Sequence, residues 1–264
     1  MTYYRRMLGT YLKEWTSAPL SRIDGTALAN LRKRLHEEHG PDAARMVLRL
    51  LRAAWHTAQQ YDGRLPAFPR LPRGATSGGD PKKSPIKGSD LPGWFANVER
   101  IGGQRKDVWL LGIMTGLRRN DLNSIKRSHV TGCTLSVPCP KGGAARAFAL
   151  PLSDAACELV QRVLCSHNSE WLWPSAKSKS GHIEDPDPKA DDGFLVAWTI
   201  HDLRRIYASA AAAVVTNGYH LKTLMNHALP KSDVTAGYIE LETDDLRPSQ
   251  QAVTERLRKF GLPL

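Results

Sequence analysis

The feature that most limits what this chain can fold into is a break about a quarter of the way along it. Residues 63–92 carry Pro66, Pro69, Pro72, Pro81, Pro85 and Pro92 together with five glycines. Proline has no amide proton to donate and glycine resists ordering, so such a stretch builds neither helix nor sheet interior. It also lacks an apolar period that would let it pack as a core, and it reads as an extended linker. The 264 residues are comfortable for two domains. The expected organisation is a helical domain over 1–64, a linker over 65–90 and a larger domain over 91–264.

Hydrophobic spacing fills in the two bodies. Tyr4, Leu8, Tyr11, Leu12 and Trp15, then Leu28, Leu31 and Leu35, then Met46, Val47, Leu50, Leu51 and Trp55 recur at helical intervals and predict three helices. Gly40 ends the second and Pro41 suits the first turn of the third. Their other faces carry Arg32, Lys33, Arg34, Arg45, Arg49 and Arg52, which by themselves fit a solvated face as well as a DNA-binding one. In the second body Leu91, Trp94, Phe95, Val98 and Ile101 predict an amphipathic helix, and the apolar run 108–114 a central one. A short helix is expected near 121–126. The stretch TLSVPCPKGGAARAFALPL predicts two strands joined by a turn at Lys141, Gly142 and Gly143. Helices follow over roughly 153–166, 201–215, 219–226, 232–241 and 245–260, with a polar loop at 176–193. The fold class expected is mostly α with a small antiparallel β-sheet.

Charge narrows the partner. Lys and Arg outnumber Asp and Glu by 37 to 26, a net charge of +11, and residues 1–90 hold 16 basic against 8 acidic side chains. An excess concentrated in the first third suits a polyanion such as nucleic acid. The run 108–114 is too short to span a bilayer and the N-terminal residues lack the apolar core of a signal peptide, so a cytoplasmic protein without membrane contact is expected. Cys133, Cys139, Cys157 and Cys165 form no CxxC pair, which argues against a zinc ribbon or disulfide framework, and they read as small buried hydrophobes. His36-Glu37-Glu38-His39 misses the HExxH order, and His129, Cys133 and Cys139 have no second ligand pair at finger spacing, so no metal is expected. No Gly-rich strand-to-helix turn offers itself to a phosphate, and no cofactor is expected.

What remains is an ordered set of cationic and phenolic groups. His201 and Arg204 in HDLRR are three apart and share a helix face. TGLRRNDL places Arg118 after the buried helix, KGG places Lys141 at the hairpin tip, and LMNHALPKSDVTAGYIE places His227 eleven residues before Tyr238. Taken singly, each has a structural explanation: Arg118 pairs with Asp121 or caps a helix, His227 is a satisfied core histidine, Tyr238 a partly buried aromatic.

In this order the residues resemble the catalytic domain of the tyrosine recombinases, the phage integrase family. That resemblance implies a catalytic set of Arg118, Lys141, His201, Arg204, His227 and Tyr238 over about 91–260, with Asp121 and Trp173-Pro174-Ser175 matching further family positions. Residues 1–64 resemble, more softly, the core-binding domain that precedes it. Two departures are plain: Asn226 stands where many members have Gly, and the interval to Tyr238 is a residue or two longer than is common. The chain also starts without an arm-binding domain, consistent with a truncation before Met1 or a shorter member. The resemblance implies double-stranded DNA as partner, a homo-oligomer (a tetramer) on DNA, and a directionality factor. It also implies exchange in trans, so the segment 245–264, with its stripe of Leu246, Val253, Leu257 and Phe260, is expected to dock on a neighbouring protomer in the DNA-bound assembly rather than fold back on its own domain.

The chemistry agrees with this set. Phosphodiester cleavage without a metal needs cations at the non-bridging oxygens, a task for the planar donors of Arg118 and Arg204. A phenol with an ordinary pKa near 10 is a weak nucleophile unless a cationic pocket and a base favour its phenolate. His201 is the candidate base, His227 a donor to the phosphate, and Lys141 the proton donor to the leaving 5′ oxygen. The competing expectations are an integrase-derived DNA-binding protein without cleavage and a related type IB topoisomerase-like enzyme.

Overall fold

The structure, a computed structural model, describes residues 2–71, 83–227, 233, 235 and 238–263. The chain divides into two compact units, Met1–Lys82 and Lys83–Leu264.

In the first unit, α1 (Thr2–Tyr11) packs on α2 (Gly25–Tyr61). The Asp24 carboxylate caps α2 by accepting from the Ala27 amide at 2.7 Å, which satisfies one of the amides a helix start leaves unpaired. A kink at Gly40 (φ 83°, ψ 171°) followed by Pro41 breaks α2 into the two helices the sequence predicts. Leu28, Leu35, Val47, Leu48 and Trp55 form the buried stripe. The expected linker contributes to both units. Leu65, Phe68 and Leu71 pack on this first core, and Trp55 Nε1 donates to the Pro66 carbonyl at 2.8 Å. Ile86 is buried in the second core.

The second unit is built around α4 (Gly103–Thr115), whose residues from Asp107 onward are all buried. Such a helix needs apolar neighbours on every side. It finds them in α3 (Leu91–Ile101), α6 (Asp154–Ser166), α7 (Ile200–Val214) and α9 (Arg247–Arg258). Each fully buried Leu or Ile here contributes about 1.5–3 kcal/mol of transfer free energy. The sheet is antiparallel, in the order β1 (Val130–Thr131), β2 (Thr134–Val137), β3 (Phe148–Pro151), with Leu135 opposite Leu150 and Val137 opposite Phe148. The two-residue β1 has too few positions to show an alternation in sequence. The remaining helices are α5 (Arg119–Asn123) and α8 (Gly218–Leu224). Over 238–241 the chain is not helical, and residues 232, 234, 236 and 237 of the helix expected over 232–241 lie outside the described residues.

Two expectations need correction. Cys133 and Cys157 form a disulfide, linking the β1–β2 turn to α6, while Cys139 and Cys165 are exposed free thiols, so only Cys157 behaves as a buried cysteine. Partners 24 residues apart on different elements leave no mark in the local spacing. The stripe on α9 faces its own unit: Leu246, Val253 and Leu257 are buried, and Gln250 links Tyr207 Oη (2.6 Å) to the Met114 carbonyl (2.7 Å). A helix so anchored has spent its apolar face in cis. The loop 176–193 is irregular as expected, yet it is tied down, with Asp192 paired to Arg105 and both Asp185 and Asp187 paired to Arg119. Among the described residues no helix is long and apolar enough to cross a membrane, and no group of three or more His, Cys, Asp or Glu is placed to hold a metal ion.

Candidate active site

Arg118 is positioned by the turn that ends α4. Thr115 Oγ1 donates back to the Leu111 carbonyl at 2.6 Å, and Gly116 takes the left-handed conformation (φ 61°) that stops the helix. A Cβ at Gly116 would overlap the Tyr207 ring, so close packing and backbone conformation both require glycine there. Two residues on, Arg118 sits just ahead of α5 with its guanidinium directed at the exit of α8, where Nη2 donates to the Asn226 carbonyl at 3.2 Å. Its Nη1 lies 4.0 Å from the buried Asp121 carboxylate. Burial raises the Asp121 pKa and the charges of Arg118 and Arg204 oppose that rise.

Arg204 and His201 come from the first turns of α7, where the Asp202 carboxylate accepts from the Thr199 amide at 2.8 Å. Arg204 is buried, and its guanidinium donates to the Gly116 carbonyl (2.6 Å), the Met225 carbonyl (2.6 Å) and His227 Nε2 (3.1 Å). Desolvation, with Arg118 nearby, lowers its pKa to about 10, which leaves it charged at neutral pH. His201 stays on the exposed edge, with its pKa lowered by burial and then by Arg205, Arg204 and Arg118.

His227 closes the end of α8 through its amide, which donates to the Lys222 carbonyl at 2.9 Å. Its pKa is lowered by desolvation first and then by Arg204, Arg118 and Arg146. The residue before it, Asn226, has φ 43°, a left-handed backbone that Gly and Asn adopt more readily than other residues. That backbone conformation suits Asn as well as Gly.

The fold therefore gathers Arg118, Arg204 and His227 around residues 225–227, with His201 at the edge of their field. Lys141 is exposed in the connector between β2 and β3, in a turn closed by the Gly143 amide donating to the Pro140 carbonyl at 2.9 Å. Tyr238 is 84% exposed, its amide donating to the Thr235 carbonyl at 3.0 Å. Among the described residues neither Lys141 nor Tyr238 touches the cluster. Sequence reasoning missed Arg146, which reaches Asn226 from the same connector as Lys141. An Arg five residues past the hairpin lysine carries no distinguishing local signal.

No protein-family model and no curated protein matches the chain in sequence. The similarity lies in structure. A lambda integrase from a tetramer bound to a Holliday junction matches with a TM-score of 0.65 over 94% of this chain and 71% of that one, at 15% identity. The Tn1549 transposon integrase in complex with a circular intermediate DNA matches with a TM-score of 0.69 over 97% of this chain and 92% of that one, at 17% identity. A lambda integrase dimer bound to a core site matches with a TM-score of 0.64 over 91% of this chain and 73% of that one, at 17% identity. With its helical first unit and its mostly α second unit carrying one small antiparallel sheet, the chain has the fold of the tyrosine-recombinase integrases.

Proposed function

We propose that this protein is a site-specific DNA recombinase that cuts and rejoins double-stranded DNA through a 3′-phosphotyrosyl intermediate. The observation that carries the reading is the convergence of Arg118, Arg204 and His227 on one short backbone segment, a concentration of donors suited to a phosphodiester. The DNA-bound integrases that share the fold support the same reading.

In this mechanism Arg118 and Arg204 hold the non-bridging oxygens and His227 donates a hydrogen bond to the phosphate. Tyr238 Oη attacks the phosphorus while its proton passes to His201, directly or through solvent. The P–O5′ bond breaks, and Lys141 delivers a proton to the leaving 5′ oxygen. The ester energy is retained in the phosphotyrosyl link, so a 5′ hydroxyl rejoins the strand by the reverse step without ATP. Tyr238 lies on the surface of the DNA-free chain, so its approach to the phosphate belongs to the DNA-bound state. Assembly of several protomers on DNA, and a directionality factor, belong to the same proposal.

The test is a nicked duplex selected by the full chain from a random pool, from which the cleaved end diffuses away. A recombinase accumulates a covalent protein–DNA adduct. A DNA-binding protein shifts the duplex and never becomes attached, and an enzyme that relaxes supercoils without joining two DNAs is a topoisomerase.

A further inference from the structure

The connector between β2 and β3 carries a second basic side chain, and it is the one that touches the cluster. Arg146 ends a single helical turn, Ala144–Arg146. Its stem lies over Gly142 (φ 113°), where a Cβ would meet Arg146 Cδ at 3.2 Å, so the glycine after Lys141 makes room for the arginine. From there Arg146 Nη2 donates to Asn226 Oδ1 at 3.1 Å and to the Asn226 carbonyl at 3.3 Å, and Asn226 Nδ2 donates back to the Arg146 carbonyl at 3.3 Å.

The Asn226 carbonyl is also the oxygen that accepts from Arg118 Nη2, at 3.2 Å. Two guanidiniums thus meet on one neutral oxygen. Like charges repel at such separations, and a neutral carbonyl supplies no countercharge, whereas a phosphate adds Coulombic attraction and can accept from a guanidinium in the bidentate way. Among the described residues no carboxylate pairs with Arg146. Its charge is felt at His227, whose pKa it helps to lower. Cations held together on a weak acceptor form a site preorganised for an anion.

We infer that Arg146 is a third guanidinium of the scissile-phosphate pocket, parked on Asn226 in the DNA-free chain and transferred to a phosphate oxygen when DNA enters. The identity of that phosphate rests on the function proposed above, while the anion site itself does not. Asn226 is a positioning residue: its left-handed backbone turns one carbonyl toward both arginines, and its amide ties the connector to the end of α8. Engaging the phosphate through Arg146 also fixes the connector that carries Lys141 five residues earlier, so phosphate binding and delivery of the proton donor become one event.

Two measurements on the full chain test this. In the first, inorganic phosphate is titrated in while the His227 imidazole resonances are followed. Arg146→Ala should need about tenfold more phosphate than the parent chain and Arg146→Lys an intermediate amount, because an ammonium keeps the charge and loses the fork. An unchanged midpoint in Arg146→Ala overturns the site. In the second, the nicked duplex carries either an ordinary phosphate or a methylphosphonate, in which a neutral methyl replaces one charged oxygen. Arg146→Ala should slow adduct formation about 100-fold on the phosphate and much less on the methylphosphonate. Equal loss on both assigns Arg146 a structural role, no loss on either removes it from the pocket, and each overturns the inference. If the parent chain forms no adduct at all, the proposed function falls, and the phosphate titration alone decides the anion site.

Discussion

Arg204 Nη2 lies 3.1 Å from His227 Nε2, so a guanidinium donates to that ring nitrogen, and the imidazole is held neutral with its own proton on Nδ1. Protonating Nε2 would break this bond and add a cation beside Arg118, Arg204 and Arg146. Burial is the largest cause of the lowered His227 pKa, and the charges of Arg204, Arg118 and Arg146 lower it further.

The consequence for pH follows directly. The unfolded chain, whose histidines titrate near 6.5, binds a proton more readily than folded His227 does. The stability contributed by neutral His227 is therefore complete above about pH 6.5 and falls as the pH drops from there toward the folded value. An anion seated in the cluster offsets the cations and raises the pKa of both His227 and His201. Histidine resonances followed with and without inorganic phosphate should titrate at higher pH when phosphate is present. No shift, or a downward one, would contradict the placement of the anion.

Gly116 answers to two constraints at once, the left-handed turn and the Tyr207 ring. Gly116→Ala should cost about 2–4 kcal/mol, combining the backbone penalty with overpacking. The midpoint of denaturant unfolding checks this, and an unchanged midpoint would mean that the turn can relax freely.

In the first unit Arg49, Arg52 and His56 line an open hollow on α2, and among the described residues neither arginine forms an ion pair. If this face meets DNA, Arg49→Gln with Arg52→Gln should reduce the slope of log K against log salt by about two, one for each phosphate that is no longer neutralised. An identical slope would show that the face does not meet the phosphate backbone.

Lys141 as proton donor predicts a selective defect. Lys141→Ala should slow cleavage of ordinary DNA by about 100-fold or more and leave a 5′-phosphorothiolate substrate nearly unaffected, since a thiolate departs without a proton. Equal losses on both substrates would remove Lys141 from that role.

Much of this was legible in the sequence where the signal is periodic or local. The 108–114 run marked the central helix because a helix apolar on all sides has only one place to go. TGLR marked a turn whose glycine is left-handed and packed against Tyr207, and chain order picked out Arg118, Arg204 and His227, which the fold gathers at the end of α8. Long-range relationships were not legible. Arg146 and Asn226 are 80 residues apart and meet only because the β2–β3 connector reaches the segment that follows α8. Cys133 and Cys157 pair across separate elements, and the stripe on α9 reads the same whether its partner is its own unit or a neighbour. The proline-rich stretch 63–92 contains the boundary between the two units, at Lys82 and Lys83, but proline content could not show that Trp55 would draw Pro66 onto the first core.

If Tyr238 forms the covalent link to DNA, adduct formation on the nicked duplex must separate the full chain from Tyr238→Phe. The full chain should form an adduct whose DNA-linked peptide contains Tyr238, and Tyr238→Phe none, while the two bind the duplex with nearly equal affinity because the phosphate backbone dominates binding. An adduct that persists in Tyr238→Phe would contradict that role for Tyr238.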